Sequence, residues 1–505
     1  MIVVESHEIR NIENLAASSG IPMSTLMENA GKNVADFAEK LIKRDDLQNV
    51  CILCGTGNNG GDGFVAAGLL VGKCNVTVVM ADGLPRSLLA SNYFSTLPHG
   101  VIMYEFSENR NASVQAIRNA DIIIDAIYGT GFNGTLKPNV EEVISLCNAN
   151  KKAVKIAVDV PSGIICDSGS VISECFHADH TLSFTALKPL HVLYPSMDYC
   201  GKVTVCDVGI PKNILDSCTY IMETTDSFIK RNPLRKRKKS AHKGTNGTLF
   251  AICGSYGMAG AAMLAGEAAL RTGVGLLRMA LPRSIYGIAA PKLVESVFVP
   301  LEQNPDGTMS AREYPKLMYE CAENASAVLI GCGIGVTNDT KQIVSILIQN
   351  SNKPMVVDAD ALNCICQNPD ILRLATSPVI ITPHPREMAR LIDSDVPTIQ
   401  AYRYDVAKDF AMEYRVTVVL KGANTIIATP EGKIYVNLTG NNGMAKGGSG
   451  DVLSGMMSSL LAQGLSTEQA AVYAVYYHGL AGDRCREIMS ARTMLPSDLI
   501  KEIDF

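Results

Sequence analysis

The chain has 505 residues, too many for one ordinary core; by length alone it allows about three domains. Its 47% apolar and 19% charged residues describe a soluble globular protein and exclude a disordered one. A net charge of −5 gives no general attraction to nucleic acid.

At the N-terminus, Glu5, Glu8 and Arg10 interrupt the stretch where a signal peptide needs a continuous apolar core, so a cytoplasmic protein is expected. No apolar run is long enough to cross a bilayer, and no membrane partner is expected. Residues 24–43 carry helical periodicity. Apolar runs predict strands at residues 49–55, 75–80, 121–129, 155–163 and 202–209, with a glycine-rich loop at 56–63 and a helix over 64–72. A dense basic run at 231–243, RNPLRKRKKSAHK, reads as a solvated linker. It puts the domain boundary near residues 220–240, with domains over 1–220 and 225–505. Beyond it, strands are expected at 248–255, 327–333, 354–360, 378–383, 415–422 and 424–430, with small-residue helices at 259–275 and 452–463. Alternation of strand and helix in both halves predicts two different parallel α/β domains.

Fifteen cysteines sit mostly in apolar runs, as expected of buried reduced thiols. Cys51 and Cys54 form a CxxC, but positions three apart in a strand face opposite sides, and no second pair follows. They are expected to be structural.

Several strands of the first half end in oxygen-bearing residues. TGNNGGDGF brings Asn58, Asn59, Gly60, Gly61 and Asp62; DAIYGTG brings Asp125; DVPSG brings Asp159 and Ser162. Each alone is ordinary turn chemistry. Together, at the carboxyl ends of parallel strands where ligands bind, they suit a hard cation and a polar ligand. NNGGDG, DAIYGTG and DVPSG, preceded by LMENAG, resemble the NAD(P)H-hydrate epimerase family over about the first 210 residues. The resemblance implies a Rossmann-like parallel α/β sandwich, with a potassium ion bound by Asn59, Asp125 and Ser162. It puts the hydrated dinucleotide among Asn58, Asn59, Gly60, Gly61 and Asp62, the run Gly129, Thr130, Gly131, Phe132, Asn133, Gly134 and Thr135, and Asp159. Asp159 is the candidate acid/base. The family often has an arginine soon after the glycine loop; Ala67 and Gly68 stand there, so no cation is assigned to the substrate phosphates.

In the second half no GxxxxGK[ST] occurs. The run 440–455, GNNGMAKGGSGDVLSG, instead packs glycines and one carboxylate, Asp451, against the start of a helix. Backbone N–H groups at Gly448 to Gly450 suit an anion, and Asp451 is positioned to take a proton from a hydroxyl. Alone, GSGD reads as a helix-capping aspartate after a glycine turn; the extended run favours the site. Lys421, at the end of a strand, is either a nucleotide-phosphate contact or a solvated strand-end lysine. His384, between prolines in TPHP, is either rigidly presented to a ligand or structural, whereas His478 is expected in packing or a helix hydrogen bond.

From HKGTNG to the end, the second half resembles the ADP-dependent NAD(P)H-hydrate dehydratases, a branch of the ribokinase-like superfamily. That implies a ribokinase-like α/β domain in which Ala262, Gly335, His384 and Asp451 contact the hydrated dinucleotide. Lys421, Gly422, Ala423, Asn424, Thr425 and Gly450 would hold ADP, with Mg2+. Cys332 and Arg386 stand where the family commonly has proline and glycine. The expected activities are epimerisation of NADHX and NADPHX and their ADP-dependent dehydration, in a homo-oligomer with no nucleic-acid partner. The competing readings are a small-molecule kinase of the ribokinase superfamily and a non-catalytic binding module in the first half.

Overall fold

The structure is a computed structural model describing residues 1–505, and the chain divides into two compact units, Met1–Ile221 and Met222–Phe505. Both are α/β. No helix is long and apolar enough to cross a membrane.

The sheet of the first unit has seven strands, all parallel. In spatial order they are Val101–Glu105, Asn75–Met80, Asn49–Cys54, Ile122–Ala126, Val154–Val158, His180–Phe184 and Lys202–Cys206. Val- and Ile-rich runs such as Ile122–Ala126, buried at every position, are what a strand covered on both faces requires. Cys51 and Cys54 belong to different apolar clusters, and all fifteen cysteines are free. Chain order runs outward in opposite directions from Asn49–Cys54 and Ile122–Ala126. Their loops therefore diverge and leave a crevice at the carboxyl ends. At that point Gly55 passes so near its neighbour that a Cβ would lie 2.0 Å from the Ile127 carbonyl oxygen.

Two features differ from expectation. Asn58 to Gly63 are not a loop: the helix Asn58–Leu70 begins at the first asparagine. The strands Val101–Glu105 and His180–Phe184 were not anticipated, because both mix polar residues into the run.

The ten strands of the second unit run Met222–Thr224, Ile434–Val436, Ile426–Ala428, Thr417–Leu420, Val379–Ile381, Met355–Val357, Ala327–Ile330, Thr248–Ile252, Leu276–Pro282 and Val297–Leu301. Only the two pairings made by Ile426–Ala428 are antiparallel. The helices Ala259–Thr272 and Ser449–Ala462 pack together in its core. Their small residues permit this: a Cβ on Gly455 would lie 2.1 Å from the Ala265 carbonyl oxygen.

The division falls before the basic run. Glu223 and Thr224 register with Tyr435 and Val436 in the second sheet. Arg231 reaches Glu223 at 2.6 Å, and Arg237 bonds the Gly273 carbonyl. Residues 231–243 thus lie within the second unit, tied to it at both arginines.

Candidate functional sites

At the crevice of the first unit, Asp125 is fully buried near the end of its strand. Its Oδ1 accepts from Ser162 Oγ at 2.7 Å and from Ile127 N at 3.1 Å, and its Oδ2 accepts from Ser162 N at 2.8 Å. Burial outweighs these bonds and pushes the carboxyl up to about 6. Ser162 Oγ in turn accepts from Tyr128 N at 2.9 Å. Asn59 projects from the first turn of Asn58–Leu70, and its buried Nδ2 has no hydrogen-bond partner. A Cβ on Gly129 would sit 3.4 Å from Asn59 Oδ1, so this orphaned amide faces the start of the 129–135 loop.

Of the remaining residues expected here, Asn58 bonds Ser87 through its Oδ1, and Gly60 and Gly61 are buried in the helix start. Asp62 is held well above the usual carboxylate range by burial and by the Asp159 and Glu13 charges. Thr130 and Gly134 are half-buried, and Gly131, Asn133 and Thr135 are exposed. Phe132 stacks on Tyr128 with ring centroids 4.9 Å apart.

Asp159 follows the strand Val154–Val158 in the left-handed region, φ 64°. Its Oδ1 accepts from Phe184 N at 3.0 Å and from the Lys188 ammonium. Lys188 has no exposed surface and also donates to Ser183 Oγ at 3.1 Å and the Phe184 carbonyl at 2.8 Å. His191 Nδ1 accepts from Lys188 N at 3.0 Å, so the proton is on Nε2, which donates to the Asp159 carbonyl at 3.1 Å. Burial and the adjacent lysine push the ring down to about 3, keeping it neutral. Glu13, on the helix Ser6–Ser18, is pushed up to about 7 by burial and then by Asp159. Glu13, Lys188 and His191 escape sequence reasoning. The one signal is a lone lysine in the apolar run FTALKPLHVL, because a buried charge needs a partner.

In the second unit, Gly448 caps the helix Ser449–Ala462 in the left-handed region, φ 101°. Asp451 is therefore in the first turn, not at the cap. Burial first, and then repulsion from Asp358, push it up to about 7. Asp358 follows the strand Met355–Val357. Its Oδ1 accepts from Lys421 Nζ at 2.8 Å and its Oδ2 from Ser454 Oγ at 2.6 Å. Lys421 is thus no solvated strand end. Its side chain is 18% exposed, is 4.0 Å from Glu387, and would meet a Cβ on Gly450 at 3.4 Å. Glu387 is pushed up to about 7, chiefly by burial.

His384 caps the helix Pro385–Leu391: its Nδ1 accepts from Arg386 N at 3.1 Å and Glu387 N at 3.2 Å. Its ring is 47% exposed, and its Nε2 lies 3.4 Å from Glu387 Oε1, so both ring nitrogens face the helix they cap. Gly335 N donates to Asp360 Oδ2 at 2.9 Å. Ala262 is fully buried and presents no surface. Gly422, Ala423, Asn424 and Thr425 form the hairpin turn after Lys421, with Gly422 and Ala423 exposed. His478 is buried beneath this region and hydrogen-bonded to the Ser449 backbone. Asp358, Glu387 and Ser454 were not singled out from the sequence.

A cavity of about 270 Å³ lined by Asn49, Asn75, Tyr104 and Gln115 opens at the amino ends of the first sheet. It holds no acid, base or cation pair, and the chemistry-bearing groups lie at the opposite ends of the strands.

Residues 23–190 match the family described as YjeF-related protein N-terminus, and residues 249–504 the family described as NAD(P)H-hydrate dehydratase. The bifunctional NAD(P)H-hydrate repair enzyme Nnr of Moorella thermoacetica is 34% identical over 99% of this chain and 95% of its own length. The enzyme of the same name from Escherichia coli is 34% identical over 98% of this chain and 92% of its own. Among solved structures, the ADP/ATP-dependent NAD(P)H-hydrate dehydratase from Bacillus subtilis, co-crystallised with ATP/Mg2+, aligns with a TM-score of 0.49 and 31% identity. That alignment covers 56% of this chain and 96% of that one.

Proposed function

The chain belongs to the bifunctional NAD(P)H-hydrate repair enzymes, and on that premise we propose how its two units divide the work and which residues do it. The protein is an NAD(P)H-hydrate epimerase joined to an ADP/ATP-dependent dehydratase. The first unit interconverts the R and S epimers of hydrated NADH and NADPH at C6. The second consumes the S epimer, with ADP giving AMP and phosphate.

One observation carries the dehydratase assignment: a carboxyl pushed up to about 7, Asp451, lies in a helix first turn beside the buried Lys421–Asp358 pair. The base takes the hydroxyl proton as the C6 oxygen attacks the terminal phosphorus of ADP and AMP departs. The phosphate is a far better leaving group than hydroxide, and its departure from C6 with loss of a C5 proton to solvent forms the C5–C6 double bond and restores the dihydronicotinamide ring. The N–H groups of Gly448 and Gly450 and the Lys421 ammonium are suited to the charge on the transferring phosphoryl group, the Ser449 N–H being engaged by the Lys446 carbonyl at 3.3 Å. The turn Lys421 to Thr425 would hold the nucleotide, and Mg2+ would neutralise its phosphates. Gly335 and the exposed ring face of His384 would contact the hydrated dinucleotide.

In the first unit, Asp159 is the acid/base, with Oδ1 engaged by Lys188 and Oδ2 left to the ring. Asn59, Asp125 and Ser162 fit a potassium ion. Their donors are all oxygen, Asp125 has a lone pair left on Oδ2, and the orphaned Asn59 amide can turn its oxygen inward. The ion would supply positive charge for the dinucleotide phosphates, while these residues hold the 129–135 loop against the helix start.

The reading is tested by giving purified protein a mixture of hydrate epimers with ADP, ATP or no nucleotide. Dihydronicotinamide absorbance should return only with nucleotide, with one phosphate released per ring restored. Recovery without nucleotide, or none with it, would refute the assignment. A small-molecule kinase would release no phosphate and restore no absorbance.

A further inference from the structure

We infer that Cys332, Asp358 and Asp451, with the Cys253 thiol alongside, form a binding site for a thiophilic divalent cation of the Zn2+ class, and that its occupation shuts the dehydration site. One ligand atom from each of Cys332, Asp358 and Asp451 lies within 4.8 Å of the others. Cys332 Sγ is 4.0 Å from Asp358 Oδ2. In tetrahedral zinc sites, with Zn–S about 2.3 Å and Zn–O about 2.1 Å, sulfur and oxygen stand about 3.6 Å apart. A contraction of well under 1 Å would therefore seat the ion between these two.

A second thiol, beside Cys332 but outside the three-residue group, comes from the next strand. Ala327–Ile330, which leads to Cys332, pairs in parallel with Thr248–Ile252, which leads to Cys253. Gly254 N donates to the Cys332 carbonyl at 2.8 Å and fixes the two strand exits against each other. Both thiols are fully buried in one apolar cluster, and their side chains are hydrogen-bonded. One thiolate sulfur and two carboxylate oxygens, with a fourth position left to water, favour a borderline-soft ion such as Zn2+ or Cd2+ over Mg2+, which demands oxygen and keeps its waters.

The carboxylates are already oriented. Lys421 occupies Asp358 Oδ1, leaving Oδ2 turned toward Cys332, and Ser454 Oγ supports Oδ2 from the other side at 2.6 Å. Such outer hydrogen bonds hold metal ligands in place. Asp451 is only half-buried and provides the entrance. Binding replaces the Cys332 thiol proton, released to water as the thiolate–metal bond forms. A cation there ties up the Asp451 carboxylate, so no hydroxyl proton can be taken. This inhibitory half rests on Asp451 being the base, whereas the binding half rests on the side chains alone.

The test titrates chelator-stripped full-length protein with Cd2+, reading the ultraviolet thiolate-to-cadmium charge-transfer band and bound metal by equilibrium dialysis. Dehydration of the S epimer is followed in parallel under Zn2+. One tight equivalent with a thiolate band is expected, unaffected by millimolar Mg2+. In Cys332→Ala, or in the near-isosteric Cys332→Ser, affinity should fall at least about tenfold and the band should weaken. Zn2+ should stop dehydration at the same midpoint, reversed by chelator. A Cys332→Ser protein that keeps both band and affinity would overturn the site, as would ready displacement of Cd2+ by Mg2+. Metal bound at Cys332 with dehydration unchanged would instead overturn the inhibition and the role given to Asp451.

Discussion

The Lys188 ammonium and the Asp159 carboxylate form an ion pair in which the lysine side chain has no exposed surface and the aspartate 13%. A lysine so enclosed persists only because its donors are all used, on Asp159, Ser183 and the Phe184 carbonyl. It pins one oxygen of Asp159, and the other is the one to which the acid/base role is proposed.

Replacing Lys188 with methionine keeps the packing and strands the aspartate. Breaking one side of a buried pair costs about 3–5 kcal/mol. The first unit of Lys188→Met should lose stability on that scale in denaturant, and epimerisation should collapse while dehydration of pure S epimer continues. An unchanged denaturation midpoint would contradict the pairing.

Glu13 gives the first unit a pH signature. Burial, then the Asp159 charge, raise it from 4.5 to about 7 against the pull of Lys188 and Arg10, and it repels Asp62 as well. Below pH 4.5 it is protonated in folded and unfolded chains alike. As pH climbs from 4.5 through about 7, the unfolded chain releases this proton more readily, and Glu13's contribution to stability is lost. Glu13→Gln cannot ionise, so the thermal midpoint of its first unit should fall less steeply across that window. Parallel curves for the two proteins would sink the assignment.

Epimerisation should require a monovalent cation. Asp125 carries the only full charge among Asn59, Asp125 and Ser162, so Asp125→Ala should weaken cation and substrate binding together, whereas Asp159→Ala should lower turnover at unchanged cation occupancy. Rates without nucleotide, in potassium against a bulky organic cation, check this. Equal rates in both salts would remove the ion from the site.

A cut between Ile221 and Met222 should release an epimerase that folds alone, because the next strand, Met222–Thr224, registers with Ile434–Val436 in the second sheet. A folded fragment of residues 1–221 without epimerase activity would show that the first site depends on the second unit.

The strand ends that carry both sites were legible because Val/Ile runs stopped by Gly, Asn and Asp have few alternatives. Asp125, Asp159, Lys421 and Asp451 all fall in or immediately beyond such runs, or in the helix turn that follows. The helix start at Asn58 was not legible: NNGGDG has loop composition, and tertiary contact at Gly55 and Gly60 decides its conformation. Nor were the ion pairs, whose partners are 29 residues apart for Lys188 and Asp159 and 63 for Lys421 and Asp358. Local sequence does not encode pairings of that span. His384 was undecided between ligand and structure, and its Nδ1 proves to be a helix cap.

The two sites of the chain should act in sequence, the first feeding the second. That order is tested most directly by supplying pure R epimer with ADP to wild type, Asp159→Ala, Asp451→Asn and an equal mixture of the two variants. Wild type should restore the whole of the dihydronicotinamide. Asp451→Asn should interconvert the epimers but restore the ring ~10²–10⁴-fold more slowly. Asp159→Ala should leave the R epimer standing until Asp451→Asn protein is added, when recovery should resume. Rapid recovery of R epimer by Asp159→Ala alone, or by Asp451→Asn alone, would contradict the account.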